Sequence, residues 1–224
     1  MEKYVITTPL NPRRQWNLKY YKKGIEKLKP QPEAVGIVTD KDVFNKFFKD
    51  NDLYIHVAEH PDYDLKLDRI AKGRSILKNW FMEKRDEAFQ WWIDSDIEVK
   101  KDTFKTIYKR MKEINCLMYS NGYQGRKNDR NWHGIGCTVI HRSIVDIGRF
   151  YIPRVKTDDG NIKNICEDMM YFCAYTNSKH HVLNRLKPSY DKLHVKESIA
   201  PVIHHLREKD DHPGYEYKIN KKIK

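Results

Sequence analysis

Short apolar runs and longer amphipathic stretches alternate along the first half of this chain, and the change of period marks the elements. Tyr4-Val5-Ile6 is an apolar run that ends in Thr7-Thr8-Pro9-Leu10-Asn11-Pro12, where two prolines stop any ladder or helix. Residues 16 to 28 carry Trp16, Tyr20, Ile25 and Leu28 among lysines, the face of a helix that Pro30 and Pro32 end. Ala34 to Thr39 is a second strand, closing at Asp40, and Leu53 to Val57 a third. From about Asp68 to Ala88 the pattern predicts a long helix with Ile70, Leu77, Trp80, Phe81 and Ala88 near one face. Phe89-Gln90-Trp91-Trp92-Ile93 is then an apolar strand ending in Asp94-Ser95-Asp96. Asp102 is placed to cap a following helix whose stripe is Phe104, Ile107, Tyr108 and Met111. Strand, helix, strand in this order predicts an α/β fold with a mostly parallel central sheet.

The second half is less regular. Cys116 to Ser120 predicts a strand, 121–131 a Gly-, Asn- and Arg-rich loop of the kind that binds ligands, and Trp132 to Ile140 another strand. The segment 149–164 is polar and is expected to be mobile, Glu167 and Asp168 open an apolar helix to Tyr175, and Val182 to Leu186 is the last predicted strand.

Composition supports a folded chain: five Trp, 14 Tyr and eight Phe in 224 residues are too many core-forming side chains for disorder, and the length suits one domain. The net charge of +12 draws phosphates, polyanions or an anionic membrane without fixing the fold. The four cysteines, Cys116, Cys137, Cys166 and Cys173, form no C-x-x-C pair, and the chain opens with no signal segment, which predicts a cytoplasmic protein with reduced thiols. No apolar run reaches the roughly 20 residues that span a bilayer, so membrane contact is expected to be peripheral at most.

Asp94 and Asp96 lie at i and i+2, so on an extended strand they share a face and reach one hard cation together or through water. They also fall at the carboxyl end of a strand, where open α/β sheets bind ligands. The plainer alternative is that they cap the next helix. Glu167 and Asp168 suit the positive end of a helix dipole, a contribution of about 0.3 to 1 kcal/mol, so capping accounts for them; the functional alternative makes one a base for an acceptor hydroxyl. Among ten histidines, His194, His204 and His205 follow the last predicted strand, and a metal role for any of them requires a partner from elsewhere in the chain. The basic stretch from Arg69 to Lys78 is either a solvated helix face or the source of a phosphate clamp at Arg74.

In order, these pieces resemble the GT-A fold nucleotide-sugar glycosyltransferases, family two in particular, over about residues 3 to 196. Tyr4 to Pro9 resembles the first nucleotide-binding strand and loop, Ala71-Lys72-Gly73-Arg74 through Asn79 the helix before the metal strand, and Trp91 to Ile97 the D-x-D strand itself. Asn131 to Ile140 resembles the acceptor-side strand, Cys166-Glu167-Asp168-Met169 the dyad whose Asp is the base, and Asp191 to Val195 the late metal-binding His. The compactness is similar to that of minimal viral and microbial members, which for a viral member implies the host cytoplasm. First-loop positions that are usually small carry Pro9, Pro12, Arg13 and Arg14, which leaves the base specificity open.

The resemblance implies one single GT-A, Rossmann-like domain over 1–206, with a nucleotide-sugar half at 1–120, an acceptor half at 121–206 and a basic tail at 207–224. It implies a nucleoside-diphosphate sugar donor, a glycan, protein or lipid acceptor, and Mn²⁺ or Mg²⁺ held by Asp94, Asp96 and His194, with His204 or His205 as alternatives to His194. Thr7, Pro9, Asp40, Arg74, Asp94 and Ser95 are the implied donor contacts, with Asp40 at the nucleobase. Asp168 is the implied base, with Glu167 beside it, and transfer is inverting. Two other classes fit the charge: a metal nuclease or nucleotidyltransferase using Asp94, Asp96 and Asp168, and a non-catalytic nucleic-acid-binding module. The resemblance speaks against nucleic acid as partner.

Overall fold

The computed structural model describes residues 1–60, 66–124, 131–152, 154–156, 162–164, 170–175, 191–205 and 215–216. The first half folds as β1 (Tyr4–Pro9), a 3₁₀ turn (Pro12–Asn17), α1 (Leu18–Glu26), β2 (Ala34–Val38), α2 (Lys41–Phe47), β3 (Tyr54–Ala58), α3 (Lys66–Lys84), β4 (Phe89–Ile93), β5 (Ile97–Val99) and α4 (Thr103–Glu113). There follow β6 (Cys116–Asn121), β7 (Tyr123–Gln124), β8 (Asn131–Trp132), β9 (Cys137–His141), α5 (Arg142–Val145), β10 (Arg154–Lys156), β11 (Ile162–Asn164), a helix over 170–175, β12 (Lys192–Glu197), β13 (Val202–His204) and β14 (Tyr215–Glu216).

Among the described residues, seven strands form one sheet in the order β12-β6-β9-β4-β1-β2-β3. β1 pairs in parallel with β2 and β4, β2 with β3, and β12 with β6, while β9 runs antiparallel to both β4 and β6. The sheet is therefore mostly parallel, as the pattern predicts, and its central strands β1, β2 and β4 are buried on both faces. That burial explains the unbroken apolar runs. Tyr4, Ile6, Trp91 and Ile93 point to one face, where they meet Tyr21 and Ile25 of α1 and Phe104, Ile107 and Met111 of α4. Val5 and Trp92 point to the other, against Leu77 and Phe81 of α3, Ile144 of α5, and Tyr171 and Tyr175 of the helix over 170–175.

Helix α1 lies unusually close to β5: a Cβ on Gly24 would come within 2.8 Å of the Val99 backbone nitrogen, so only glycine permits the approach. β5 in turn pairs antiparallel with β13, and β13 with β14, in a small second sheet.

Several expectations change. Trp132 to Ile140 is not one strand: β8 pairs with β7, the chain turns through Gly134 to Gly136, and β9 starts at Cys137. Part of 149–164, expected to be mobile, is the antiparallel pair of β10 and β11. β12 and β13 lie where no strand is predicted, and the predicted strand from Val182 to Leu186 lies outside the described residues. No helix among the described residues is long and apolar enough to cross a membrane.

Candidate functional site

The carboxyl ends of β1 and β4 are adjacent at the centre of the sheet, and the chain leaves β4 through Asp94-Ser95-Asp96. The Ile97 N–H donates to the Asp94 carbonyl at 3.0 Å, and the Asp94 N–H donates to the Gly136 carbonyl at 2.9 Å, so this segment is a tight turn and not an extended strand end. Across this turn each carboxylate meets a partner of its own.

Asp94 faces Arg74. The guanidinium Nη2 donates to Asp94 Oδ1 at 2.9 Å, from a side chain only 3% exposed against 30% for Asp94. Arg74 also lies over the Trp92 ring at 5.7 Å. Helix α3, packed over β1 and β2, brings it there. Arg74 thus pairs with Asp94 beside the turn. A charge-assisted bond from a buried Arg fixes the carboxylate orientation more firmly than an exposed pair would.

Asp96 faces β13. Its Oδ2 is 3.4 Å from His204 Nε2, both side chains being nearly buried, and the His205 N–H donates to the Asp96 carbonyl at 2.8 Å. His205 Nε2 meets Glu98 Oε2 at 3.0 Å, and this hydrogen bond holds the Glu98 carboxyl below the usual carboxylate range. His204 is thus the imidazole that the fold brings to the turn.

His194 is elsewhere. It lies on β12, three strands from β4, where its Nε2 meets Ser120 Oγ at 2.8 Å and its ring stacks on Phe172. Burial pushes its pKa down to about 3, so the ring is neutral at pH 7. Ser120 Oγ is itself 2.8 Å from Thr138 Oγ1, which ties β12, β6 and β9 together. The fold thus places His194 away from the turn, half-buried against Phe172, and places His204 beside Asp96.

Thr7 has no exposed surface, and its hydroxyl accepts from Gln90 Nε2 at 3.2 Å inside the sheet. Pro9 ends β1 beside the turn, and Asp40 is exposed at the N-terminus of α2. Ser95 sits in the turn, 7% exposed. Glu167 and Asp168 lie outside the described residues.

Tyr123 is a site residue that the sequence pattern does not reveal. Its ring meets His204 edge-on at 5.2 Å, and its hydroxyl would lie 3.0 Å from a Cβ at Gly136, where the Asp94 carboxyl carbon would be at 2.8 Å. Tyr123 and the Asp94 carboxylate therefore close on a position that only glycine fills, and His204 lies against the Tyr123 ring. Gly136→Ala is expected to displace the Asp94 carboxylate from Arg74 and to lower stability by about 1.5 kcal/mol, the worth of the charge-assisted contact. A melting curve checks it.

As a cation site, the turn supplies one carboxylate and one imidazole within reach of each other. Among the described residues no group of three His, Cys, Asp or Glu side chains could hold an ion alone. An oxygen and a nitrogen donor fit Mn²⁺ or Mg²⁺, the imidazole favouring Mn²⁺, and both ions commonly take their remaining ligands from substrate phosphate and water.

No family model matches the chain, and no curated protein matches it in sequence. Solved structures do match in shape. The mannosyltransferase PcManGT of Pyrobaculum calidifontis, solved with GDP-Man and Mn²⁺, superposes with a TM-score of 0.54 at 11% identity, over 95% of this chain and 59% of its own. S. aureus TarS 1-349 in complex with UDP-GlcNAc superposes with a TM-score of 0.51 at 11% identity, over 88% of this chain and 60% of its own. The chain thus spans about three fifths of the length of these proteins, with 59% and 60% covered. At this identity the likeness establishes the fold, an α/β fold of the GT-A kind.

Proposed function

We propose that the chain is a glycosyltransferase that moves a sugar from a nucleoside-diphosphate sugar to an acceptor hydroxyl with the help of Mn²⁺ or Mg²⁺. The observation that carries this reading is the turn after β4, where a buried Arg74 holds Asp94 and His204 meets Asp96, at the edge of the sheet where such folds bind nucleotides. The structural neighbours solved with GDP-Man and with UDP-GlcNAc support it.

Asp96 and His204 would hold the cation, which when bound supplies positive charge against the departing diphosphate. Asp94, oriented by Arg74, would accept from the donor ribose or a water of the cation. Asp40 accepts from the nucleobase, and Pro9 and Ser95 shape the floor beside the diphosphate. Asp168 takes the proton of the acceptor hydroxyl as its oxygen bonds to the anomeric carbon and the bond to the diphosphate breaks. Glu167 neighbours that base in sequence. With the base separate from the donor and no enzyme nucleophile, one displacement inverts the anomeric carbon. The acceptor is a glycan, protein or lipid, reached from the cytoplasm, with any membrane contact peripheral.

The test is thermal shift with uridine or guanosine diphosphate and Mn²⁺. A nucleotide at about 100 times its Kd is expected to stabilise the protein by about 2.7 kcal/mol. Stabilisation by oligonucleotides alone would overturn the assignment.

A further inference from the structure

We infer that Glu98 and His205 are positioning residues that set the spacing between Asp96 and His204, and so the affinity of the turn for a divalent cation. The inference rests on the functional reading above. β5 and β13 are three residues each, too short for their backbone ladder alone to fix two side chains closely. Asp96 immediately precedes β5, which carries Glu98, and His205 immediately follows His204 at the end of β13, its N–H donating to the Asp96 carbonyl at 2.8 Å. The 3.0 Å bond between Glu98 and His205 therefore braces the same two chain ends that hold Asp96 and His204 3.4 Å apart.

The pair is itself held from two further sides. Tyr20 of α1 stacks on the His205 ring at 4.0 Å and 10°, and Lys100 lies 3.8 Å from the other Glu98 oxygen. The His205 side chain is 5% exposed and that of Glu98 12%. A polar pair this deeply buried gives little net stability over apolar side chains of the same size. Its value lies in orientation, and outer partners of this kind tune metal ligands by roughly ten- to hundredfold in affinity.

The experiment is a Mn²⁺ titration of the full chain read by electron paramagnetic resonance, with guanosine or uridine diphosphate present. Glu98→Leu is expected to weaken Mn²⁺ binding by roughly ten- to hundredfold and broaden its spectrum, with a melting temperature equal to or above that of the parent. His205→Phe keeps the stack on Tyr20 and is expected to weaken Mn²⁺ comparably. Glu98→Gln keeps an acceptor for the imidazole N–H and is expected to restore most of the affinity. Parental affinity and spectrum in Glu98→Leu overturn the inference. So does an affinity loss that follows a lowered melting temperature and is not rescued by Gln. A parent protein that binds no Mn²⁺ with either nucleotide fails at the level of the functional reading, a result distinct from a parent that binds and a variant that binds equally.

Discussion

Asp96→Ala is expected to abolish Mn²⁺-dependent binding of a nucleoside diphosphate while the protein remains folded. In the proposed site the carboxylate is one of two protein donors, so its loss would exceed the ten- to hundredfold typical of an outer partner and reach about a hundredfold or more. The fold depends on Asp96 chiefly through its backbone, whose carbonyl accepts the His205 N–H, and alanine keeps that bond. The Arg74–Asp94 pair is also left in place. Calorimetry with and without Mn²⁺ measures the effect. Unchanged metal-dependent affinity in a folded variant would remove Asp96 from the site, and a variant that fails to fold would show its role to be structural.

Asp168→Asn is expected to bind donor and metal normally and to lose roughly two to four orders of magnitude in transfer rate, the usual worth of a positioned general base. The substitution separates base from cap. Asn caps a helix about as well as Asp, so a residue that only capped would leave turnover intact. An amide cannot accept the acceptor's proton at neutral pH, so a base would lose turnover with little change in melting temperature. Single-turnover transfer, measured at saturating donor, separates the two outcomes. Near-parental transfer with a slightly lowered melting temperature would assign the carboxylate to the helix end.

Much of the scaffold was legible in the pattern of apolar positions. β1, β2 and β4 read as short unbroken apolar runs because a parallel strand is covered on both faces, and α3 and α4 read as stripes because each faces the sheet on one side. The place of Asp94 and Asp96 at the end of β4 was legible for the same reason: the run stops where burial stops. β12 was not. Its Lys-Leu-His-Val-Lys-Glu sequence lies at the edge of the sheet with both lysines exposed, and edge strands carry charges that hide the alternation.

Sequence by itself determined the layers, the direction of the first strands and the strand end where two acids gather, because these follow from local periodicity and burial. The tertiary structure alone decided which side chain each acid meets. Arg74 reaches Asp94 because α3 packs over β1 and β2, and His204 reaches Asp96 because β13 returns to pair with β5. His194 fits the expected motif order, yet the parallel pairing of β12 with β6 carries it three strands from the turn, to the edge of the sheet. Contacts between residues far apart in the chain depend on strand order and register, which period and spacing do not encode.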